Sequence, residues 1–165
     1  MNKLKSLLWV AIIAAFSFSC SDDEDVIDVR AEAVGSYSYD LTAYVLDGTT
    51  LQEFANSDGT FSVATDPANE SGLIITEGST KFTINKVTAA SNGFTFDVPA
   101  QSVTDDGTKI NISGYNGAQL VSSGGSTTLY NGVYISTTKK LTFYFKYTDP
   151  DLGATIVFEF DGTKK

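Results

Sequence analysis

Leu73-Ile74-Ile75-Thr76-Glu77-Gly78-Ser79-Thr80-Lys81-Phe82-Thr83-Ile84 reads as two strands joined by a two-residue turn. Gly78 can take the positive φ that the first central position of a type II′ turn requires. With Gly78 and Ser79 as the loop, Glu77 falls opposite Thr80, Ile75 opposite Phe82 and Leu73 opposite Ile84. One face is then apolar, and Thr76 and Lys81 share the other. Turn chemistry and hydrophobic alternation agree on one register, as a specified hairpin demands.

The same pattern extends in both directions. Asp106-Gly107 suits a type I′ turn and sets Val103 opposite Ile110. Asn92-Gly93 reads as another turn, ahead of Phe94-Thr95-Phe96-Asp97-Val98. Asp47-Gly48 follows a first strand from Tyr37 to Val45, and Asp58-Gly59 precedes one from Thr60 to Thr65. Pro99 cannot donate to a ladder, and apolar parity switches between Phe94/Phe96/Val98 and Val103, so a bulge or corner is expected there. In the last third, Leu141, Phe143, Phe145 and Tyr147 alternate with Thr142, Tyr144 and Lys146. Beyond Asp149-Pro150-Asp151, Ile156, Phe158 and Phe160 alternate with Val157 and Glu159. Pairing Phe145 with Phe158 sets Phe143 opposite Phe160 and Tyr147 opposite Ile156. Continuing the parity upstream puts Val133 and Ile135 with these phenylalanines, and Tyr130, Tyr134 and Tyr144 on the opposite face.

No helical period appears from Val34 onward. The expectation is one all-β domain over residues 34–165, with eight to ten antiparallel strands and no room for crossover helices. A long meander tends to curl until its edges meet, so an up-and-down barrel of about eight strands is favoured, with a two-sheet β-sandwich as the alternative. The 165 residues are 42% hydrophobic and 12% aromatic, enough for a single core.

Charge narrows the chemistry. The chain has 20 acidic and 11 basic residues, a formal charge of −9 and no histidine. Histidine-dependent triads and imidazole metal sites are therefore excluded, and an acidic chain is a poor partner for nucleic acid. Asp105-Asp106 and Asp149/Asp151 are carboxylate pairs, but each sits in a turn, where Asp is favoured for structural reasons. No catalytic residue, metal site or cofactor is implied, so an enzyme is not expected.

The first residues carry an address. Lys3 and Lys5 precede an apolar run of ten, Leu7 to Phe16. That is too short to span a membrane and fits the h-region of an export signal covering residues 1–19. The only cysteine, Cys20, closes the segment in Phe16-Ser17-Phe18-Ser19-Cys20. Four acids follow, Asp22, Asp23, Glu24 and Asp25, so residues 20–33 read as a solvated, disordered tether. Loss of Lys3 and Lys5 with the signal leaves a mature charge of −11.

The segment ending at Cys20 resembles a bacterial lipoprotein signal, which implies acylation of that cysteine and a membrane anchor. The alternative is a free thiol after a simple cleaved signal. The acids at 22–25 resemble the surface-export signal of Bacteroidota lipoproteins, implying an outer-membrane, cell-surface location; a plain spacer or a weak cation-binding tail is the alternative. Gly35-Ser36-Tyr37 resembles the Gly-x-Trp of lipocalins, with Tyr in place of Trp. The ending Phe158-Glu159-Phe160-Asp161-Gly162-Thr163-Lys164-Lys165 is similar to that of small Bacteroidota lipoproteins with calycin-like barrels.

Two functional readings follow. Inward Phe94, Phe96, Phe143, Phe145, Phe158 and Phe160, with Phe82, either fill a barrel or wall a cavity for a small apolar or saccharide ligand. Alternatively the barrel is filled, and Tyr130, Tyr134 and Tyr144 form an outer stripe that stabilises the sheet or meets an envelope protein partner.

Overall fold

The structure, a computed structural model, describes residues 28–105, 107–121 and 127–165. It is nearly all β and antiparallel. A five-residue 3-10 turn, Val29–Ala33, leads into β1 (Gly35–Asp47) and β2 (Thr50–Thr65). Then come β3 (Leu73–Glu77), β4 (Thr80–Ala90), β5 (Gly93–Asp97), β6 (Gln101–Asp105) and β7 (Thr108–Gly114). The chain ends with β8 (Ala118–Val121), β9 (Thr127–Tyr130), β10 (Gly132–Ile135), β11 (Lys140–Thr148) and β12 (Thr155–Lys164).

Eight strands close a ring in the order β10-β5-β4-β3-β2-β1-β12-β11, with β11 returning to β10. The ring is uneven. β10 covers only Lys140 to Phe143 of β11, and β7 takes over at Phe145 and Lys146. The β6–β7 hairpin thus patches the wall above the short β10. The described residues form twelve strands, more than the expected eight to ten, because this hairpin and a separate β8–β9 ribbon are added to the ring. A two-sheet sandwich is not what forms.

The hairpin 73–84 has the expected register, Glu77↔Thr80, Ile75↔Phe82 and Leu73↔Ile84. Gly78 takes φ +53°, and Ser79 stays negative, as a type II′ turn needs. Val103↔Ile110, Phe145↔Phe158, Phe143↔Phe160 and Tyr147↔Ile156 are likewise paired as read. The corner at Pro99 is present. The Val98 amide leaves the ladder to donate to Asn131 Oδ1 at 3.1 Å, and the Val98 carbonyl accepts from the Gly114 amide at 2.9 Å.

Four expectations are corrected. Asp58-Gly59 is no turn, because β2 runs straight through it. Gly59 stands opposite Tyr39, and its missing side chain leaves room for the Tyr39 ring. The turn near Asn92 is one residue earlier, at Ser91-Asn92, since Gly93 already pairs with Ala90. Residues 28–33 belong to the folded domain instead of a tether. Asp28 caps the 3-10 turn by accepting from the Arg30 amide, and Ala33 is completely buried. Finally, Tyr130, Tyr134 and Tyr144 do not share a face. The four-residue connection 136–139 pairs Ile135 with Lys140 and Tyr134 with Leu141, which reverses the assumed parity. Tyr134 therefore points into the core, Val133 and Ile135 point outward, and Tyr130 sits on the β8–β9 ribbon.

The core is a column of rings. Phe143 stacks on Phe160 with centroids 4.7 Å apart and planes 8° apart, and Tyr37 stacks on Phe61 at 5.0 Å. Tyr39, Phe82, Phe94, Phe96, Phe145 and Tyr134 complete it.

Candidate functional site

The two ends of the ring differ. At one end the 3-10 turn acts as a plug. Tyr37 Oη donates to the Ala33 carbonyl at 2.7 Å, and Tyr134 Oη donates to the Glu32 carbonyl at 2.9 Å. Lys164 Nζ donates to the same carbonyl at 2.8 Å. Arg30 reaches across to the carbonyls of Asn69 at 3.0 Å and Gly72 at 3.2 Å. The two tyrosine hydroxyls, the Lys164 ammonium and the Arg30 guanidinium at this end all have partners, while Asn85 Oδ1 on the neighbouring β4 is buried without one.

The other end is open, for a reason visible in the pairing. β2 contacts β3 only over Ser62–Thr65. From Thr50 to Phe61 it has β1 on one side and, among the described residues, no strand on the other. The wall is split along this stretch. A bulge between Ala43 and Tyr44 leaves Phe54 without a cross-strand partner.

A cavity of about 620 Å³ lies at this mouth. Leu41, Val45, Phe54, Leu152, Ile156 and Phe158 supply its apolar wall, with Ala43, Ala55 and Tyr147, while Asn56, Ser57 and Asp149 are its polar fringe. Phe54 is 58% exposed and Leu152 74% exposed. Isolated exposed apolar side chains are ordinary, but two facing one cavity form a surface ready to be covered. A second, deeper chamber of about 360 Å³ shares Leu41, Tyr147 and Phe158 with the first. Phe82, Phe145, Phe160, Ile110, Thr80, Thr108, Glu77 and Asp105 line the rest of it.

The polar groups here are held in place. Tyr39 Oη donates to Glu77, and Thr80 Oγ1 donates to Asp105 Oδ1 at 3.1 Å. Burial, with the Glu77 carboxylate beside it, pushes the Tyr39 phenol up from its ordinary value. Asp149 Oδ1 accepts from the amides of Asp151 and Leu152 at 2.9 and 3.0 Å, which fixes the turn that presents Leu152. Burial, then Asp149, raises Tyr147.

The six phenylalanines singled out from sequence divide. Phe94, Phe96 and Phe143 are buried packing near the closed end and line neither chamber. Phe145 and Phe160 are buried and edge the deeper chamber, while half-buried Phe158 lines both. Leu41, Val45, Phe54, Tyr147, Leu152 and Ile156 were not singled out. The one signal for Phe54 and Leu152 is that each is a large apolar residue outside any alternation.

Tyr144 belongs to a different, outward layer. It lies 6.4 Å from Tyr115 between ring centroids and packs over Gly117. Tyr44 Oη donates to Glu159 Oε2 at 2.7 Å. Burial, then that bond to Glu159, pushes Tyr44 up to about 12, and the same two causes raise Tyr144. This layer is polar glue between the ring and β8–β9.

Cys20, Asp22, Asp23, Glu24 and Asp25 lie outside the described residues. Among the described residues, no helix is long and apolar enough to cross a membrane, and no three His, Cys, Asp or Glu side chains are placed to hold a metal. Fold and site together define a class: an antiparallel eight-stranded ring with one plugged end and one open, apolar end. No protein-family model matches the chain, and no curated protein is significantly similar to it.

Proposed function

We propose that this protein is a non-enzymatic binding barrel that takes a small apolar ligand through its open end while anchored to the outer membrane by a lipid on Cys20. The single observation that carries the binding reading is the mouth cavity. Its volume falls within the usual range of ligand sites, roughly 300–1,000 Å³, and its wall is apolar with a few polar groups at the fringe. Burying that wall against a ligand gains roughly 25 cal/mol per Å² of apolar surface removed from water. An apolar ligand is favoured over a saccharide, because few hydrogen-bonding groups line the larger chamber.

The anchor and the mouth suit each other. The described structure begins at Asp28, at the plugged end and eight residues after Cys20. An extended linker of that length reaches at most about 28 Å. A lipid on Cys20 therefore turns the plug toward the bilayer and the mouth away from it, a geometry suited to catching ligands from outside.

Native mass spectrometry of the purified protein after exposure to envelope lipids and glycans tests the binding reading. A retained apolar species is expected, and it should be lost in Ala55→Trp, which fills the chamber from an exposed wall position. Retention of a glycan alone, or of nothing, would remove the apolar-ligand reading. Fractionation tests the anchor: Cys20→Ser should release the protein from membranes, and a variant still bound after a carbonate wash contradicts acylation.

A further inference from the structure

We propose that the open end selects a cationic amphiphile, with an apolar body in the outer chamber and an ammonium-type head in the deeper one. The inference rests on the binding reading above and adds the chemistry of the ligand. The observation behind it is the composition of the deeper chamber. Two carboxylates, Glu77 and Asp105, lie beside the rings of Phe82, Phe145, Tyr147 and Phe158. Those rings are packed as neighbours: Phe82–Phe145 at 5.3 Å, Phe145–Phe158 at 5.2 Å and Tyr147–Phe158 at 5.9 Å between centroids. Carboxylates alone would be commonplace on an acidic protein. Aromatic rings gathered in one chamber wall with carboxylates, here half-buried Glu77 and exposed Asp105, are the chemistry that recognises an organic cation, through charge and through the negative faces of the rings.

The charge layout points the same way. Among the described residues, no Lys or Arg lines either chamber, and Asp149 adds a third carboxylate at the outer fringe. Lys109 flanks the mouth from an adjoining surface groove shared with Tyr147 and Asp149. Arg30, Lys139, Lys140, Lys164 and Lys165 sit at the plugged end, while Lys81 and Lys146, next in sequence to lining residues, stand at the alternate positions of their strands and line neither chamber. A fatty-acid carboxylate entering the deeper chamber would meet Glu77 and Asp105 with no facing cation, a repulsive arrangement. A neutral alcohol would lack only the attraction.

Leu41, Tyr147 and Phe158 line both chambers, so the two adjoin, and the proposed ligand lies across that shared wall. Three probes with the same chain separate the cases: dodecyltrimethylammonium, dodecanol and dodecanoate, each below its aggregation limit, titrated calorimetrically into the protein. The expected order is cation tightest and carboxylate weakest, with at least a ten-fold gap between those two. Asp105→Asn should narrow that gap several-fold. Glu70→Gln, which removes one negative charge from the loop at the plugged end, should leave it unchanged. Equal affinities for cation and carboxylate, or equal effects of the two substitutions, overturn the proposal while leaving the apolar site standing. Failure of all three probes to bind overturns both.

Discussion

Single side chains have different jobs at the two levels of the barrel. Phe145 is buried among Phe82, Phe143, Phe158 and Phe160, so Phe145→Ala removes a ring from a packed column. The expected loss is about 3–5 kcal/mol, a large part of a domain stability of roughly 5–15 kcal/mol. Phe158 is its cross-strand partner but faces the cavities and is only half-buried. Phe158→Ala should therefore cost clearly less and instead enlarge both chambers. Urea denaturation of both variants checks the ranking, and a larger loss for Phe158→Ala would mean that the cavity is packed shut. Tyr144, which parity alone reads as a mild surface position, is held over Gly117 and beside Tyr115. Its truncation should fall between surface and core values.

Among the elements, the 3-10 plug is the least expected. Asp28 and Glu32 look like the tail of an acidic run, yet the backbone around them closes the barrel through Tyr37, Tyr134, Lys164 and Arg30. Arg30→Ala should lower stability by about 1.5–3 kcal/mol, because its guanidinium satisfies two carbonyls and pairs with Asp28 at 2.7 Å. Replacing Asp22, Asp23, Glu24 and Asp25 with Ser should leave the melting temperature nearly unchanged. Equal effects of the two changes in thermal melts would contradict the closing role of the 3-10 turn. The contrast shows what a sequence makes legible. Hairpins with a glycine turn and matched alternation on both arms, 73–84 and 141–160, carry their own register. β10 carries no such information, because the four residues at 136–139 reverse its parity without any change in its own pattern. Asp58-Gly59 misleads in the opposite direction, since its glycine serves the Tyr39 ring and not a turn. The site was half legible for the same reason. Phe145, Phe158 and Phe160 stand in alternating strands, whereas Phe54 owes its place to a bulge and Leu152 to an Asp149-capped turn.

On the scale of the whole molecule, a ring with a hydrogen-bonded floor and a split apolar rim has a direction. Its closed end is built from hydrogen bonds and stacked rings, and its open end leaves large apolar side chains facing a cavity. Stability and binding are thereby assigned to opposite ends of one core. That separation is the central claim, and residue-resolved NMR during titration with a dodecyl-chain ligand measures it directly. Shifts should concentrate at Val45, Phe54, Tyr147, Leu152 and Ile156, with Tyr37, Phe94 and Tyr134 unmoved. Shifts centred on the plugged end, on the outward Tyr144 layer, or spread evenly over the chain would contradict it.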